Sequence, residues 1–259
     1  MITATILSAS LSAVPLMCNT VDANGVVAPY SISVTDNQKL SIVLKRIGSG
    51  KSELIEVIDF DQSEAAQPTF SAEIGGRKLA FRLWGGFHRP MSQIDAVDKE
   101  GETRGLRFLS GTCSQGAVFR PVEHKFSEPR YPTVDGRKVQ NCFGATIDGR
   151  VFVFREKLME NRNSEVLFRW GGSGDQFQKT EVSPEPFPSL PRREGIHRTW
   201  TAYDPTNEEK SPAFVEEFSV NEETLRAAVT FDFVSLEDVD GPLMVARAHC
   251  GQFTVKKGG

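Results

Sequence analysis

The sequence predicts an all-β protein with two tandem β-sandwich or barrel-like units, each closed by one disulfide, and with only short helices. Three observations lead to this fold class. Apolar runs of strand length recur between turn residues, the four cysteines form two matching pairs, and a Pro-rich charged stretch lies near the middle of the 259 residues. Short strands in such number are typical of sandwiches and barrels.

The apolar runs are bounded by clusters of Gly, Asn or Asp, which favour turns between strands. The predicted strands are residues 30–34, 39–47, 53–60, 78–84, 104–109, 151–154, 166–170, 228–234 and 243–248. Two short helices are also predicted. One covers residues 222–227 with Asn221 as its N-cap and acidic residues in its first turn, and the other covers residues 92–97 with Ser92 as its cap.

The cysteines repeat a local pattern. Cys18 and Cys142 each precede an Asn-Gly or Asp-Gly pair, and Cys113 and Cys250 each precede a Gln by two residues. This match indicates an internal duplication and predicts the bonds Cys18–Cys113 and Cys142–Cys250. Two alternatives are open, because Asn-Gly and Asp-Gly are common hairpin turns on their own and four cysteines also allow a Cys113–Cys142 bond.

The Pro-rich stretch sets the predicted domain boundaries. Residues 14–120 form the first β domain, residues 121–138 a Pro-rich linker, and residues 139–259 the second β domain. Residues 1–13 are apolar and rich in small residues but lack a positive n-region, so they are predicted to be a truncated signal segment, with a first strand as the alternative. Together with paired cysteines, this segment predicts a periplasmic or secreted protein.

Charge and residue spacing exclude several function classes. A net charge of −4 and a pI of about 5.7 argue against nucleic-acid binding, and no later segment approaches the roughly 20 apolar residues of a transmembrane helix. The four histidines are scattered, so neither a metal site nor a cofactor is predicted.

Two local patterns suggest chemistry that their context does not support. Residues 48–52 (GSGKS) end like a phosphate-binding loop, but Lys45 stands where that loop needs its first Gly, so a hairpin loop is predicted instead. Ser173 lacks the Gly-x-Ser-x-Gly pattern of a nucleophile elbow. No catalytic residue is therefore predicted.

Two Trp-Gly-Gly segments are the candidate ligand sites. Flat rings can stack on a sugar or an aromatic ligand, and the adjacent glycines allow it to approach closely. The candidate residues are Trp84, Phe87, His88, Arg89, Trp170 and Asp175. The alternative is that each Trp ends a core strand and that the glycines form the following turn.

These features favour an exported, non-enzymatic binding or interaction protein whose ligand is a protein or a carbohydrate. One alternative is a secreted polysaccharide hydrolase, with carboxylates from different strands as acid and base. The other is a single β-barrel in which some of the 18 Phe line a pocket for a small apolar ligand.

Overall fold

The protein is all-β. The computed structural model describes residues 14–36, 40–48, 52–61, 67–84, 91–100, 104–116, 118–158, 164–171, 178–186, 199–203, 212–221, 226–235 and 244–254. Within these ranges every regular element is a strand, and no helix is found. The strands form a ten-stranded sheet, a two-stranded ribbon and a closed barrel.

The first sheet is antiparallel and contains ten strands. They are β1 (Leu16–Asp22), β2 (Val26–Asp36), β3 (Leu40–Arg46), β4 (Glu53–Ile55), β5 (Val57–Asp61), β6 (Thr69–Ile74), β7 (Arg77–Trp84), β8 (Met91–Asp98), β9 (Arg107–Ser114) and β10 (His124–Lys125). Their spatial order is β4-β3-β2-β1-β9-β8-β7-β6-β5, with β10 paired to β2.

This sheet curls into a nearly closed barrel. Its two end strands, β4 and β5, follow each other in the chain with only Glu56 between them, and they pair with β3 and β6 respectively. Every second residue faces the inside, where fully buried aliphatic side chains and the stacked rings of Phe70 and Phe81, 4.7 Å apart, form one core. The period-two pattern of apolar residues therefore specifies the concave face.

A short connecting segment leads to the second sheet. Its ribbon pairs β11 (Thr133–Val134) with β12 (Arg137–Lys138). Asp135 and Gly136 between them both have positive φ, at 49° and 74°, which is the geometry of a type I′ turn. Phe126, earlier in the segment, is buried against both sheets.

The second sheet closes on itself as a barrel of antiparallel strands in sequence order. They are β13 (Gln140–Ala145), β14 (Val151–Leu158), β15 (Ser164–Trp170), β16 (Gln178–Pro186), β17 (Thr199–Tyr203), β18 (Pro212–Asn221), β19 (Arg226–Ser235) and β20 (Met244–Thr254). Pairing of β13 with β20 closes the ring, so that no strand of the barrel is left as an edge.

Each sheet carries one disulfide between its first and last long strands. Cys18 of β1 is bonded to Cys113 of β9, and Cys142 of β13 is bonded to Cys250 of β20. These are the bonds that the matched cysteine runs predict. Cys18 and Cys113 are direct partners in the strand register, so the covalent link reinforces a pairing that the backbone also makes.

The structure corrects the helix prediction at residues 92–97 and the last two residues of the helix predicted at residues 222–227. Residues 92–97 lie in β8, because Ile94 and Ala96 face the core while Asp95 faces the other side, which is a strand period. Arg226 and Ala227 begin β19, and residues 222–225 lie outside the described residues. The strands on either side of residues 48–52 pair antiparallel, with Arg46 opposite Glu53, as the predicted hairpin requires, and residues 49–51 lie outside the described residues.

Candidate functional site

The barrel has two faces of different character. On the outer face, Phe143 and Val153 pack with Val21 and Val27 of the first sheet. Residues that alternate with these face the inside of the barrel, and among them Phe152 and Phe154 are almost completely buried. The face of these strands that points away from the first sheet is therefore the interior face of the barrel.

Aromatic side chains lie on the interior face. Phe152 and Phe154 alternate with Val153 and face the inside of the barrel, and Trp170 pairs with Phe152 in the strand register. Gln140 and Glu156 are polar residues on the same face.

Small residues face these rings where the barrel closes. Gly144 of β13, together with Ala246 and Ala248 of β20, occupies the interior face beside Phe152. A Cβ at Gly144 would overlap the Phe152 ring, so this ring lies directly over the glycine backbone. Glycine is required here because a side chain would have no space. Backbone conformation is not the reason, since Gly144 is not in the left-handed region.

Trp170 lies at one end of the barrel. It ends β15, pairs with Phe152 in the register and meets that ring edge to face, with ring centroids 6.0 Å apart. The Arg150 guanidinium lies 4.1 Å from the Trp170 ring centroid and is held by Asp148 through a 2.9 Å ion pair. An arginine stacked on an indole is a favourable cation–π contact.

The first sheet and the barrel also meet through a buried polar cluster centred on Asp95. This carboxylate accepts hydrogen bonds from Arg247 of β20 and from the Trp84 indole, the latter at 2.9 Å, and lies 3.5 Å from Arg107 Nε. Burial alone would raise the pKa of Asp95, but Arg107 and Arg247 outweigh burial and hold the pKa well below its usual range. Asp95 is therefore ionised across the physiological pH range.

Arg247 is the main link from the barrel to this cluster. Its backbone N–H donates to Thr112 Oγ1 at 3.1 Å, and its guanidinium also donates to Gln93 Oε1 at 3.0 Å. Breaking a buried, hydrogen-bonded ion pair by removing one partner is costly. The polar cluster thus fixes how β20 sits on the first sheet.

Two further side chains connect the same surfaces. Asn19 of β1 is fully buried and bonds to backbone groups of Arg120, Val122 and Thr146. Arg130 of the connecting segment donates to the carbonyl of Asp22 at 3.2 Å. Burial lowers the pKa of the Arg130 guanidinium.

The structure describes two of the six predicted ligand residues. Trp84 ends β7 on the outer face of the first sheet, and its indole N–H is bonded to Asp95. Trp170 ends β15 of the barrel. The remaining candidates, Phe87, His88, Arg89 and Asp175, lie outside the described residues.

Sequence reasoning missed the residues that join the two sheets. Asp95, Arg247 and Asn19 each interrupt an apolar strand with a polar residue on the face opposite the core. A buried strand with one charged outer position is a signal that its outer face is covered as well. Their partners, however, come from distant segments of the chain.

Neither a metal-binding cluster nor a membrane-spanning helix occurs among the described residues. No three or more His, Cys, Asp or Glu side chains are grouped there so that they could hold a metal ion. In the same part of the chain, no helix has the length and hydrophobicity needed to cross a membrane.

Comparison with known proteins gives little further information. No family model matches the chain, and no curated protein matches it. Among solved structures, it is similar to the crystal structure of a protein of unknown function from the DUF3598 family of Nostoc punctiforme PCC 73102. That match covers 93% of this chain and 95% of the other, with 10% sequence identity and a TM-score of 0.25.

Proposed function

We propose that this protein is a non-enzymatic binding protein that takes a small, largely apolar ligand inside the barrel formed by β13–β20. The observation that carries the proposal is the closed ring of eight strands, whose interior face holds Phe152, Phe154 and, at one end, Trp170. A barrel of eight strands is wide enough to hold one small ligand. Ligand sites are generally apolar and aromatic with a few polar groups, and Gln140 and Glu156 are polar residues on this face.

The first sheet is a poorer candidate for the same role. Its interior is filled by fully buried side chains such as Leu16, Ile32, Leu79 and Leu83, which form one continuous core. A continuous core of this kind stabilises the fold. We assign this sheet a supporting role.

The Trp84 segment is also a weaker candidate than the barrel. The Trp84 indole N–H donates a hydrogen bond to Asp95, and the Arg82 guanidinium lies 5.2 Å from the Trp84 ring centroid. Trp170, by contrast, shares a face and a ring contact with Phe152. The Trp170 segment therefore belongs to the proposed barrel site.

Export and a two-unit organisation are part of the proposal. Two disulfides support an oxidising compartment, either the periplasm or the extracellular space. In both sheets the first long strand pairs with the last and is bonded to it through cysteine, which supports tandem units at residues 14–120 and 139–259. Residues 121–138 then connect the two units.

Titration with N-phenyl-1-naphthylamine tests the barrel site. This apolar dye fluoresces when it leaves water and accepts energy from excited tryptophan. We expect saturable binding of one dye per chain, with energy transfer that decreases in a Trp170→Phe variant and is retained in a Trp84→Phe variant. Absence of saturable binding to the folded protein would refute the proposal.

A matched pair of core variants locates the dye. Phe154 and Phe81 are both fully buried, one on the interior of the barrel and one in the core of the first sheet. Phe154→Leu should weaken dye binding by at least about fivefold, because a change of pocket shape acts directly on the ligand. Phe81→Leu should lower stability but leave the affinity within about twofold. Equal effects on affinity would contradict a site inside the barrel.

A further inference from the structure

His249 lies where β20 of the barrel meets the first sheet. It pairs with Phe143 on the outer face and is fully buried. Its Nε2 is 2.9 Å from the carbonyl oxygen of Arg107 in β9, and its Nδ1 is 3.0 Å from the backbone N of Gly251. Because a backbone N–H can only donate, Nδ1 must accept, and the ring proton must be on Nε2. This geometry admits only the neutral imidazole.

The charges around the ring also oppose its protonation. Arg107 of β9 and Arg130 of the connecting segment face it, and Arg130 donates to the His249 carbonyl at 3.5 Å. Arg247 lies two residues away on the same strand. Asp95 of β8 is a carboxylate near the ring, but its charge is already balanced by Arg107 and Arg247. A charged imidazole would therefore add a cation to a site with an excess of guanidinium groups.

Burial lowers the pKa of His249 from 6.5 to about 4; Arg107 and Arg130 act in the same direction, and the hydrogen bond to the Arg107 carbonyl opposes them. A group whose pKa is lowered in the closed state stabilises that state fully above its ordinary pKa of 6.5. This stabilisation is lost as the pH falls from 6.5 towards 4. The contact between β20 and β9 is thus weakened by acid and not by base.

We propose that His249 is an acid-sensitive contact whose protonation releases β20 from the first sheet and loosens the wall of the barrel. The same strand presents Ala246 and Ala248 to the barrel interior, so movement of its outer face changes the lining of the site. The consequence for the ligand rests on the proposed function: the protein retains its ligand at neutral pH and releases it in acid.

Hydrogen exchange of the Arg247 amide measures the opening without any ligand. This N–H donates to Thr112 Oγ1 across the contact, so its protection factor reports the closed-to-open equilibrium there. Between pH 7.5 and pH 4.5 we expect that factor to fall by about 70-fold, from pKa values of 6.5 and about 4 in the open and closed states. The Leu83 amide, bonded to the Pro68 carbonyl at 3.1 Å within the first sheet, should keep its protection.

Two variants separate the imidazole from other effects. His249→Gln retains a donor for the Arg107 carbonyl but cannot titrate, so the Arg247 protection factor should change less than about threefold over the same pH range. His124→Gln, at an exposed position on β10, should behave like the wild type. An unaltered pH response in His249→Gln would overturn the proposal, as would a parallel fall at Leu83, which would indicate global unfolding.

Two further measurements keep the test decisive. If His249→Gln fails to fold, nitrogen NMR of the wild-type imidazole decides instead, and a folded-state titration near pH 6.5 would overturn the proposal. Release of N-phenyl-1-naphthylamine is followed separately over the same pH range. If the dye never binds while the Arg247 amide responds through His249, the proposed function fails and the acid-sensitive contact stands.

Discussion

Replacing Asn19 by alanine should destabilise the protein far more than its size suggests. The side-chain Nδ2 donates to the carbonyl oxygens of Arg120 at 2.9 Å and Thr146 at 2.7 Å, and Oδ1 accepts from the N–H of Val122 at 3.3 Å. Thr146 belongs to the turn between β13 and β14, so one residue of the first sheet supports the barrel at that turn. The substitution removes all three bonds from a fully buried position.

The expected loss follows from the three hydrogen bonds that the side chain makes to backbone groups. Each such bond contributes about 0.5–1.5 kcal/mol, so Asn19→Ala should lower the free energy of unfolding by about 2–4 kcal/mol. Asn19→Asp should be at least as harmful, because a carboxylate would face two carbonyl oxygens. The measurement is urea unfolding followed by circular dichroism with the disulfides intact.

Asn24→Ala provides the control for this prediction. Asn24 lies in the turn between β1 and β2, and its side chain is exposed. Its loss should change the free energy of unfolding by no more than about 0.5 kcal/mol. An Asn19→Ala variant within about 1 kcal/mol of the wild type would show that the three bonds do not hold the sheet and the barrel together.

Two other perturbations follow from the same contacts. Gly251 has a φ of 103°, and a Cβ there would lie 2.8 Å from Arg130 Cδ, so Gly251→Ala should cost about 2–4 kcal/mol in urea unfolding. Gly136 has a φ of 74° but nothing within 4 Å, and Gly136→Ala should cost only about 1 kcal/mol; equal losses would contradict the Arg130 contact. Replacing Cys142 and Cys250 by serine removes a bond between residues 108 positions apart and should lower the free energy of unfolding by up to about 4–5 kcal/mol. An unchanged urea midpoint would contradict this prediction.

The strands and the disulfides could be predicted from local patterns. Alternation of apolar residues identifies a strand and its buried face, because successive side chains point to opposite sides of a sheet. The same rule, applied to residues 92–97, would have given β8 and not a helix. The matched runs around Cys18 and Cys142 indicated the two bonds because each cysteine occupies a corresponding first strand.

The candidate site was harder to predict than the strands. Phe152 and Trp170 belong to different strands, and the sequence shows each only as one apolar residue in its own run. The strand register puts them on one face, and pairing of β13 with β20 makes that face the interior of a ring. Predicting the site therefore required the order and register of the strands.

By itself the sequence predicted that the chain forms many short strands and favoured, among the open alternatives, the two cysteine pairs that the structure contains. Only the tertiary structure decided that both sheets curl, that Asp95 meets Arg247 across 152 positions of the chain, and that His249 is enclosed between the two sheets. The physical reason is the range of the interactions. Strand periodicity is a property of neighbouring residues, whereas burial of a polar outer face depends on which distant surface covers it.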